Sequence, residues 1–334
     1  MKPAPTLDDV AAAAGVSRST ASRAINGGAR VSPDALAAVQ AAVAELGYTP
    51  NPAARSLVTR RTDSIALVVP VPDTTILADP FLVGVLRGVS VGLKGSDLQL
   101  VLLLRRDDES PDRIARYLAS GHVDGAIIAS HRRGDGIEAA LESSGLPAVI
   151  VGRPYGGYEF PHVELDNAGA ARLATEHLIS KGRTRIAAIT GPLNMAVGVD
   201  RKAGWQSALE SAGLAADAWA EAKMFTAGAG AEAAEQLLTN HPEIDAIFAA
   251  SDLIAEGAMS VLAAAGKRVP DDIAIVGIDN LGVAERTNPP LTSVINPVEQ
   301  ISVTATEILL GLMRGEEAPP PRYLPARLVF RASA

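Results

Sequence analysis

The sequence predicts a small all-α headpiece of the helix-turn-helix type, followed by a larger α/β body made of two lobes. Three observations lead to this division. Residues 1–50 hold three short helical patterns, each with its own start signal. From residue 64 onward, short apolar runs alternate with helical stretches, as in parallel sheets covered by crossover helices. Charge follows the same division: residues 1–61 carry seven Lys and Arg against four acids, and the remainder carries 23 against 34.

Length and composition limit the class of protein. At 334 residues the chain has room for two or three domains, and 48% of its residues are hydrophobic. It has no cysteine, which excludes disulfides and thiolate metal sites and fits a reducing compartment. Lys2 is followed by PAPTLDD rather than an apolar signal segment, and no apolar run has membrane-spanning length. We therefore expect a cytoplasmic protein with no membrane partner.

The headpiece begins with a series of capped helices. Thr6 followed by Asp9 resembles a capping box, Ser17 starts a second helix, and Ser32 starts a third. The third helix is expected to end at Gly47, because glycine is favoured just beyond a helix C-terminus. Two short helices joined by a glycine-containing turn form the helix-turn-helix pattern.

The second helix of the headpiece is mostly polar, so little of it can belong to a core. Its few apolar residues are enough to hold one face against the first helix. The other face carries hydroxyl and guanidinium groups, which contact base edges and phosphates in a major groove. These groups belong to Arg18, Ser19, Thr20, Ser22 and Arg23. A solvated helix on a small bundle stays open as the alternative.

The headpiece resembles a known family. The segments TLDDVAAAAGVSRSTASRAIN, VS and ELGYTPNPAARSL occur together, and they resemble the N-terminus of bacterial transcription regulators of the lac repressor/gal repressor family. The resemblance implies that Arg18 and Ser19 set operator preference and that other residues contact DNA around them. The expected DNA contacts are Thr6, Ser17, Arg18, Ser19, Thr20, Ser22, Arg23, Asn26, Arg30, Arg55 and Leu57.

Residues 51–61 are expected to form a hinge between the headpiece and the body. Pro50 and Pro52 isolate a segment that is too short for a stable helix, so its folding can be coupled to DNA binding. The family resemblance implies a hinge that is helical only on DNA, with Leu57 as a minor-groove wedge. An apolar wedge unstacks base pairs and kinks the duplex. An ordinary interdomain linker is the alternative.

The body alternates strands and helices in two series. Continuous apolar runs such as IALVV at 65–69 are typical of parallel strands that are buried on both faces. We expect strands at 65–69, 98–104, 125–129, 148–151, 185–190, 222–225, 246–250 and 273–278. We expect helices at 80–94, after residue 111, and at 136–144, 168–181, 200–211, 230–239 and 253–265.

The family resemblance continues through the body, on segments such as ELDNAGAA at 164–171 and VGIDN at 276–280. It implies a fold similar to periplasmic sugar-binding proteins, with the ligand between two lobes that the chain crosses three times. The implied crossings fall near 161–165, 291–296 and 323–327. The implied domains are a DNA-binding domain at 1–50, the hinge at 51–61, and an effector-binding and dimerisation domain at 62–334. Within the last domain, the first lobe spans about 62–163 and 292–324, and the second spans about 164–291 and 325–334.

Candidate effector contacts follow the expected strands, where α/β folds bind ligands. Asp279 and Ser251 each follow a strand, Phe225 ends one, and Arg201 lies in the helix after another. Asp and Arg pair with vicinal hydroxyls, and an aromatic face suits a sugar ring. The family resemblance implies effector contacts at Arg201, Ser251 and Asp279, with an aromatic near Phe225, and Asp79 completes the expected set.

Other residues near these positions affect which ligand we expect in the cleft. We interpret Asp252 as a helix cap rather than an effector contact. Gly152 stands where many relatives carry an aspartate, and Val197 and Val199 stand where polar or basic groups are often found. These departures indicate an effector that differs from those of familiar relatives. The chain has no Walker lysine, no GxSxG segment and no paired metal-ligand spacing among its five histidines, so we expect a binding module, not an enzyme.

The expected function combines the headpiece with the body. We expect a dimeric repressor of carbohydrate-metabolism genes that binds a palindromic double-stranded DNA operator. We expect it to need no cofactor and to respond to a small-molecule effector, which we expect to be a sugar. One alternative is a regulator that responds to a non-sugar metabolite or a protein partner. Another is a transport-type binding protein with an incidental N-terminal domain.

Overall fold

The computed structural model describes residues 5–26, 31–49, 61–72, 79–105 and 112–334. The predicted DNA contacts Arg30, Arg55 and Leu57, and most of the predicted hinge at 51–61, lie outside the described residues. The chain divides into two compact units, Met1–Asp63 and Ser64–Ala334. Within the described ranges, no helix is both long and apolar enough to cross a membrane.

The headpiece contains three described helices, α1 (Leu7–Ala13), α2 (Arg18–Ile25) and α3 (Pro33–Leu46). The predicted start signals are confirmed. Thr6 Oγ1 accepts a hydrogen bond from the Asp9 amide at 3.3 Å, and Asp9 Oδ2 accepts one from the Thr6 amide at 2.8 Å. Ser17 and Ser32 cap the next two helices, and Gly47 ends α3 with a φ of +62°. The small core between the helices consists of Val10, Ala11, Ala21, Val39 and Ala42.

The first lobe of the body is a six-stranded parallel sheet with helices on both faces. Its strands are β1 (Ser64–Pro72), β2 (Gln99–Arg105), β3 (Gly125–Ala129), β4 (Ala148–Val151), β5 (His162–Leu165) and β11 (Arg322–Leu324), in the order β11-β5-β4-β3-β1-β2. Its helices are α4 (Pro80–Gly92), α5 (Asp112–Ala119), α6 (Ile137–Ser144) and α11 (Val298–Met313).

The second lobe repeats this arrangement. Its strands are β6 (Ile186–Thr190), β7 (Trp219–Glu221), β8 (Ala246–Ala249), β9 (Ala274–Asp279), β10 (Thr292–Ile295) and β12 (Arg327–Val329), in the order β12-β10-β9-β8-β6-β7. Its helices are α7 (Asn167–Ser180), α8 (Ala196–Ser211), α9 (Ala227–Asn240) and α10 (Asp252–Ala264). The strands are parallel except β12, which pairs with β10 in the antiparallel direction.

The buried strands have apolar side chains on both faces because helices cover both faces of each sheet. In β1, Ile65 and Leu67 pack in the cluster that includes residues of α4 and α11. Ala66 and Val68 point to the opposite face and pack in the cluster that includes residues of α5 and α6. A strand covered twice cannot alternate apolar and polar residues, so the continuous apolar runs are explained.

Two predicted elements of the second lobe are wrong in position. The strand expected at 222–225 is instead β7 at Trp219–Glu221, because Thr226 caps α9 and the chain must turn before it. Helix α8 begins at Ala196 rather than near residue 200, and its cap residue Met195 makes no side-chain hydrogen bond. A helix without a polar cap carries no start signal in the sequence.

The chain passes between the lobes three times. It leaves β5 for α7 at Asp166, leaves β10 for α11 at residues 296–297, and leaves β11 for β12 at residues 325–326. The three passages are neighbours, because β5 pairs with β11 and β10 pairs with β12. The amide of Asp166 also donates to the Leu324 carbonyl at 3.0 Å, which joins two of the passages directly.

Candidate functional site

Helix α2 carries five of the eight predicted DNA contacts that lie in the described residues, and three of these five are exposed. The side chain of Arg18 is 70% exposed, and its Nε lies 3.4 Å from Asp8 Oδ1 on α1. Ser19 and Arg23 are also exposed, and Arg23 Nε donates to the Ser19 carbonyl at 3.2 Å. Asn26, just beyond the helix, donates its side-chain amide to the Ser22 carbonyl at 2.9 Å. Among the described contacts of these side chains, the ion pair of Arg18 with Asp8 reaches another helix, and the hydrogen bonds stay within α2 and its flanking residues.

The hydroxyl groups at the start of α2 form a local cluster. Ser17 Oγ caps the helix and lies 2.9 Å from both Ser19 Oγ and Thr20 Oγ1. Thr6, the remaining described candidate of the headpiece, caps α1 in the same way. Hydroxyls at helix N-termini stand beside free backbone N–H groups, which is an arrangement that suits phosphate oxygens.

A cleft between the two lobes of the body contains all five predicted effector residues: Asp79, Arg201, Phe225, Ser251 and Asp279. The empty space between its lining atoms is about 830 Å³, including the part open to solvent. Asp79 comes from the first lobe, and the other four come from the second. A cleft that places a few polar groups among apolar ones is typical of small-molecule sites.

Arg201 is the centre of the polar network in the cleft. Its side chain is buried, with Nε donating to Asn167 Oδ1 at 3.0 Å and one terminal nitrogen donating to the Ala250 carbonyl. The other terminal nitrogen lies 3.8 Å from Asp279 Oδ1. Burial lowers the pKa of the guanidinium and the charge of Asp279 opposes this, but an arginine in a protein keeps its proton.

Asp279 occupies a strained position at the end of β9. Its backbone has a φ of +129°, in the region that favours glycine, and such strain is frequent at ligand sites. Its Oδ1 accepts a hydrogen bond from Asn296 Nδ2 at 3.2 Å. Burial raises the pKa of the carboxyl, and the neighbouring Arg201 opposes the rise. The other side-chain atom of this amide, Asn296 Oδ1, is buried without a hydrogen-bond partner.

Asp79 both caps a helix and faces the cleft. Its Oδ1 accepts from the Phe81 amide at 2.9 Å at the start of α4. Burial raises the pKa of Asp79 to about 6, and the charge of Asp279 adds to the rise. Asp79 and Asp279 thus line the same cleft from opposite lobes.

The structure corrects the helix-cap role expected of Asp252, because its neighbour Ser251 is the cap residue. Ser251 lines the cleft, but it is also the cap of α10 and accepts from the Ile254 amide at 3.2 Å. Asp252 is not the cap: it is the first helical residue, and it accepts hydrogen bonds from Ser293 Oγ and the Asn280 amide at 2.6 and 2.7 Å. Burial and the charge of Asp279 raise the pKa of Asp252 to about 8. Asp252 therefore supports the end of β9.

Phe225 provides an aromatic wall, and one glycine makes room for it. A Cβ at Gly191 would lie 2.4 Å from a carbon of the Phe225 ring, so a larger residue there would displace the ring. Gly191 directly follows β6, and Phe225 lies in the loop after β7. An aromatic face among hydrogen-bonding groups suits a ring that has one apolar side and polar edges.

Several cleft residues were not predicted. Glu164 is buried, and burial together with the charge of Asp200 raises its pKa to about 7. Its Oε2 accepts from Asn167 Nδ2 at 3.0 Å. Arg153 donates two hydrogen bonds to Asp200, each 2.7 Å long, across the lobes. Glu164 and Asn296 lie within the predicted crossings at 161–165 and 291–296, and Asn167 lies just beyond the first of them, so polar residues at or beside the crossings were the available signal.

The donor and acceptor set of the cleft favours an uncharged polyhydroxylated ligand. Carboxylates, amides and a guanidinium pair with hydroxyls in both directions, whereas an anion would meet several carboxyls. In the parts of the chain that the structure describes, no three His, Asp or Glu residues are grouped as metal ligands. The sites thus define a class: a DNA-binding protein with a separate small-molecule pocket.

Comparison with known proteins identifies the family. The family described as bacterial regulatory proteins, lacI family, matches residues 6–51, and a periplasmic binding protein-like domain matches residues 175–334. The HTH-type transcriptional regulator CelR of Thermobifida fusca is 44% identical over 333 residues, covering 98% of each chain. The HTH-type transcriptional repressor CytR of Escherichia coli K12 is 31% identical, over 99% of this chain and 96% of its own.

Solved structures agree with this assignment. A complex described as transcriptional regulator CelR with cellobiose has a TM-score of 0.79 and 41% identity, covering 99% of this chain and 100% of its own. A lac repressor dimer bound to operator and the anti-inducer ONPF has a TM-score of 0.84 and 27% identity, covering 99% of both chains. The chain belongs to the lacI family and is a DNA-binding transcriptional regulator.

Proposed function

We propose that this regulator is a repressor whose operator affinity is controlled by cellobiose or a closely related glucose disaccharide. The observation that carries the proposal is the convergence of Asp79, Arg201, Phe225, Ser251 and Asp279 on one cleft. A relative 44% identical to this chain, CelR, has a solved complex that is described as containing cellobiose. Identity at this level over nearly the whole chain supports a ligand of the same class.

The chemistry of the cleft suits a sugar. Asn296 lines the cleft, and its Oδ1 acceptor is buried without a hydrogen-bond partner. The carboxyls of Asp79 and Asp279 accept hydrogen bonds from hydroxyls, and the ring of Phe225 covers an apolar ring face. Glu164 supplies a carboxyl to the same cleft, which offsets the missing aspartate at residue 152.

The headpiece suits a half-site of a palindromic operator. One polar helix reads a few base pairs, and a net charge near +3 on residues 1–61 gives only modest phosphate attraction. Two headpieces in a homodimer would double both contributions and match a two-fold operator. The protein would act in the cytoplasm, where its operator lies, and it would need no cofactor besides the effector.

Control of DNA binding would arise from movement of the lobes. The three neighbouring passages between the lobes form a natural hinge for closure around a ligand. A ligand that prefers one arrangement shifts the equilibrium by its difference in affinity, a coupling of roughly 1–3 kcal/mol in typical regulators. That range corresponds to about a 5- to 150-fold change in operator affinity.

The test is fluorescence anisotropy of the purified full chain on DNA selected from a random pool. The titrations are run with and without cellobiose, other disaccharides, monosaccharides and nucleosides, at several salt concentrations. We expect a palindromic sequence to be selected and cellobiose to change its affinity at least fivefold, with a salt slope that reports the phosphate contacts. The direction of the change distinguishes an inducer from a co-repressor.

Each other outcome removes one part of the proposal. A palindrome with a response to a nucleoside or an organic acid, and none to sugars, would exclude the sugar effector. A palindrome with no ligand response would favour control by a protein partner. Selection of a non-palindromic site, together with a monomer in sedimentation, would exclude the homodimer.

A further inference from the structure

One ion pair joins the two lobes beside the cleft. Arg153 lies in the loop after β4 of the first lobe, and Asp200 lies on α8 of the second. Arg153 Nε and one of its terminal nitrogens each donate to a carboxylate oxygen of Asp200 at 2.7 Å. The two side chains are 34% and 22% exposed, so water reaches this pair, in contrast to the buried Arg201. Two parallel hydrogen bonds between a guanidinium and a carboxylate form a strong and geometrically specific contact.

The two members of the pair differ in their access to a ligand. Arg153 lines the cleft, whereas Asp200 is not among the described residues that line it. The hydrogen bonds to Asp200 raise the pKa of Arg153, and partial burial opposes the rise. The guanidinium is therefore held at the cleft by a carboxylate of the opposite lobe. Any effect of Asp200 on a ligand would have to act through another residue.

Neighbouring contacts join the same parts of the two lobes. The Arg133 amide, in the loop after β3, donates to the Asn194 carbonyl at 2.8 Å. The Tyr155 hydroxyl, in the loop after β4, donates to the Leu193 carbonyl at 3.4 Å. Both carbonyls belong to the loop between β6 and α8, and α8 carries Asp200. Of these three contacts between lobes, the ion pair is the one made by two side chains, so a substitution on either side removes it.

We propose that Arg153 and Asp200 are positioning residues that clamp the lobes closed over the cleft, so that an effector enters and leaves when the pair opens. The proposal rests on the cleft being the effector site, as in the proposed function. The passages between the lobes are short segments at the ends of strands and helices, which is where hinges occur. An ion pair that is made in the closed arrangement and lost in the open one shifts the equilibrium between them toward closure.

The first experiment measures the separation of the lobes without any ligand. The chain has no cysteine, so spin labels attached at Ala139→Cys and Glu232→Cys report one distance. Both positions are exposed, the first on α6 of the first lobe and the second on α9 of the second. Pulsed electron paramagnetic resonance gives this distance in the otherwise unchanged full chain, and again with Arg153→Gln, Asp200→Asn or both.

We expect one distance in the otherwise unchanged chain, and a change of at least about 2 Å in each clamp variant, as for a domain rearrangement. The double variant should match the single ones, because the pair can be broken only once. Arg268→Gln is the matched control, since Arg268 donates two side-chain hydrogen bonds to Asp272 within the second lobe. That variant should keep the original distance.

The second experiment uses cellobiose as the probe. Stopped-flow fluorescence gives its association and dissociation rates for the same variants without labels. We expect Arg153→Gln and Asp200→Asn to speed dissociation roughly tenfold, as for loss of a charged hydrogen-bonded pair, without slowing association. Asp200→Asn is also measured in a Glu164→Gln background, because the charge of Asp200 contributes to the raised pKa of Glu164. The effect should persist there.

The outcomes separate the clamp from its alternatives. Unchanged lobe distances in Arg153→Gln and Asp200→Asn exclude the clamp. Faster dissociation in Arg153→Gln alone would make Arg153 a direct ligand contact instead. An effect of Asp200→Asn that vanishes in the Glu164→Gln background would assign it to the carboxyl of Glu164. If the distances change as expected and cellobiose does not bind, the clamp stands and the proposed sugar effector fails.

Discussion

Helix α2 and the cleft of the body use similar chemical groups in opposite surroundings. Arg18 on α2 is 70% exposed and has one ion-pair partner on the neighbouring helix. Arg201 in the cleft is 3% exposed and contacts three groups that lie far away in the sequence. An exposed guanidinium contributes little to stability, whereas a buried one holds surrounding structure in place. Function and stability should therefore separate in the headpiece and coincide in the cleft.

The largest effect is expected at Arg201. Arg201→Ala leaves Asp279 buried without its counter-charge and Asn167 without a donor, so we expect the free energy of unfolding to fall by roughly 3–5 kcal/mol. Effector binding should be lost together with this stability. Chemical denaturation and ligand titration of the same preparation measure both quantities. Arg172→Ala, an exposed arginine on α7, is the control, and it should change neither.

If Arg201→Ala lost only ligand binding and kept the free energy of unfolding of the wild type, function and stability would not coincide in the cleft. It would mean that the buried guanidinium serves only the ligand and that water replaces it without penalty.

The second effect depends on pH. Burial is the main cause that raises the pKa of Glu164 from 4.5 to about 7 in the folded protein, and the charge of Asp200 adds to the rise. The folded state therefore binds an extra proton between these values, and stability falls as pH rises through that window. Glu164→Gln stays neutral and keeps an acceptor for Asn167. We expect its advantage in unfolding free energy to be absent near pH 4 and to reach roughly 3 kcal/mol above pH 7.

Denaturation curves of both proteins at several pH values provide the measurement. Glu142→Gln, at an exposed position on α6, is the control and should follow the wild type at every pH. A constant difference across pH 4–8 would show that the carboxyl of Glu164 titrates as in an unfolded chain.

The third effect tests the separation of function from stability in the headpiece. Arg18→Ala should weaken specific operator binding by about 1–3 kcal/mol and relax preference at one position of the site. The free energy of unfolding should stay within about 0.5 kcal/mol of the wild type. Anisotropy on operator variants and denaturation measure these two outcomes. Asp8→Ala removes the partner of Arg18 and leaves the guanidinium, so operator affinity should be retained or increased; a fall comparable to that of Arg18→Ala would assign the effect to the ion pair.

The smallest effect concerns the aromatic wall of the cleft. Gly191→Ala places a methyl group 2.4 Å from the Phe225 ring, so the ring must move, and we expect effector affinity to fall about three- to tenfold. Gly228→Ala is the matched control, because its Cβ would meet no heavy atom within 4 Å. That variant should bind normally and gain up to about 1 kcal/mol of stability as a helix former on α9. Equal affinities of the two variants would exclude Phe225 as a ligand contact.

Much of the fold could be predicted from local patterns. The three headpiece helices are capped by Thr6, Ser17 and Ser32 as expected, because caps and a terminal glycine are signals carried within a few residues. Strands β3 and β4 were predicted at their observed bounds, since a buried parallel strand must be apolar throughout. The predicted position of β7 lay too late in the chain, and the predicted α8 began too late because its start has no polar cap residue.

The candidate site divides in the same way. Residues directly after strands, such as Asp279 and Ser251, could be predicted because parallel strands present their carboxyl ends at one edge. Glu164, Asn167 and His131 were not predicted, since they line the cleft through the way the passages and loops bring both lobes together. The unpaired state of His131 Nε2 and Asn296 Oδ1 is visible only when every neighbour is placed.

The sequence by itself determined the family, the helix-turn-helix, the alternation of strands and helices, and the residue types of the candidate sites. These depend on short-range physics: capping, periodicity and burial of apolar runs. The tertiary structure alone decided which polar groups satisfy one another and which remain for a ligand. That difference depends on contacts between residues far apart in the chain, such as Arg153 with Asp200 and Arg201 with Asn167, whose geometry no local pattern encodes.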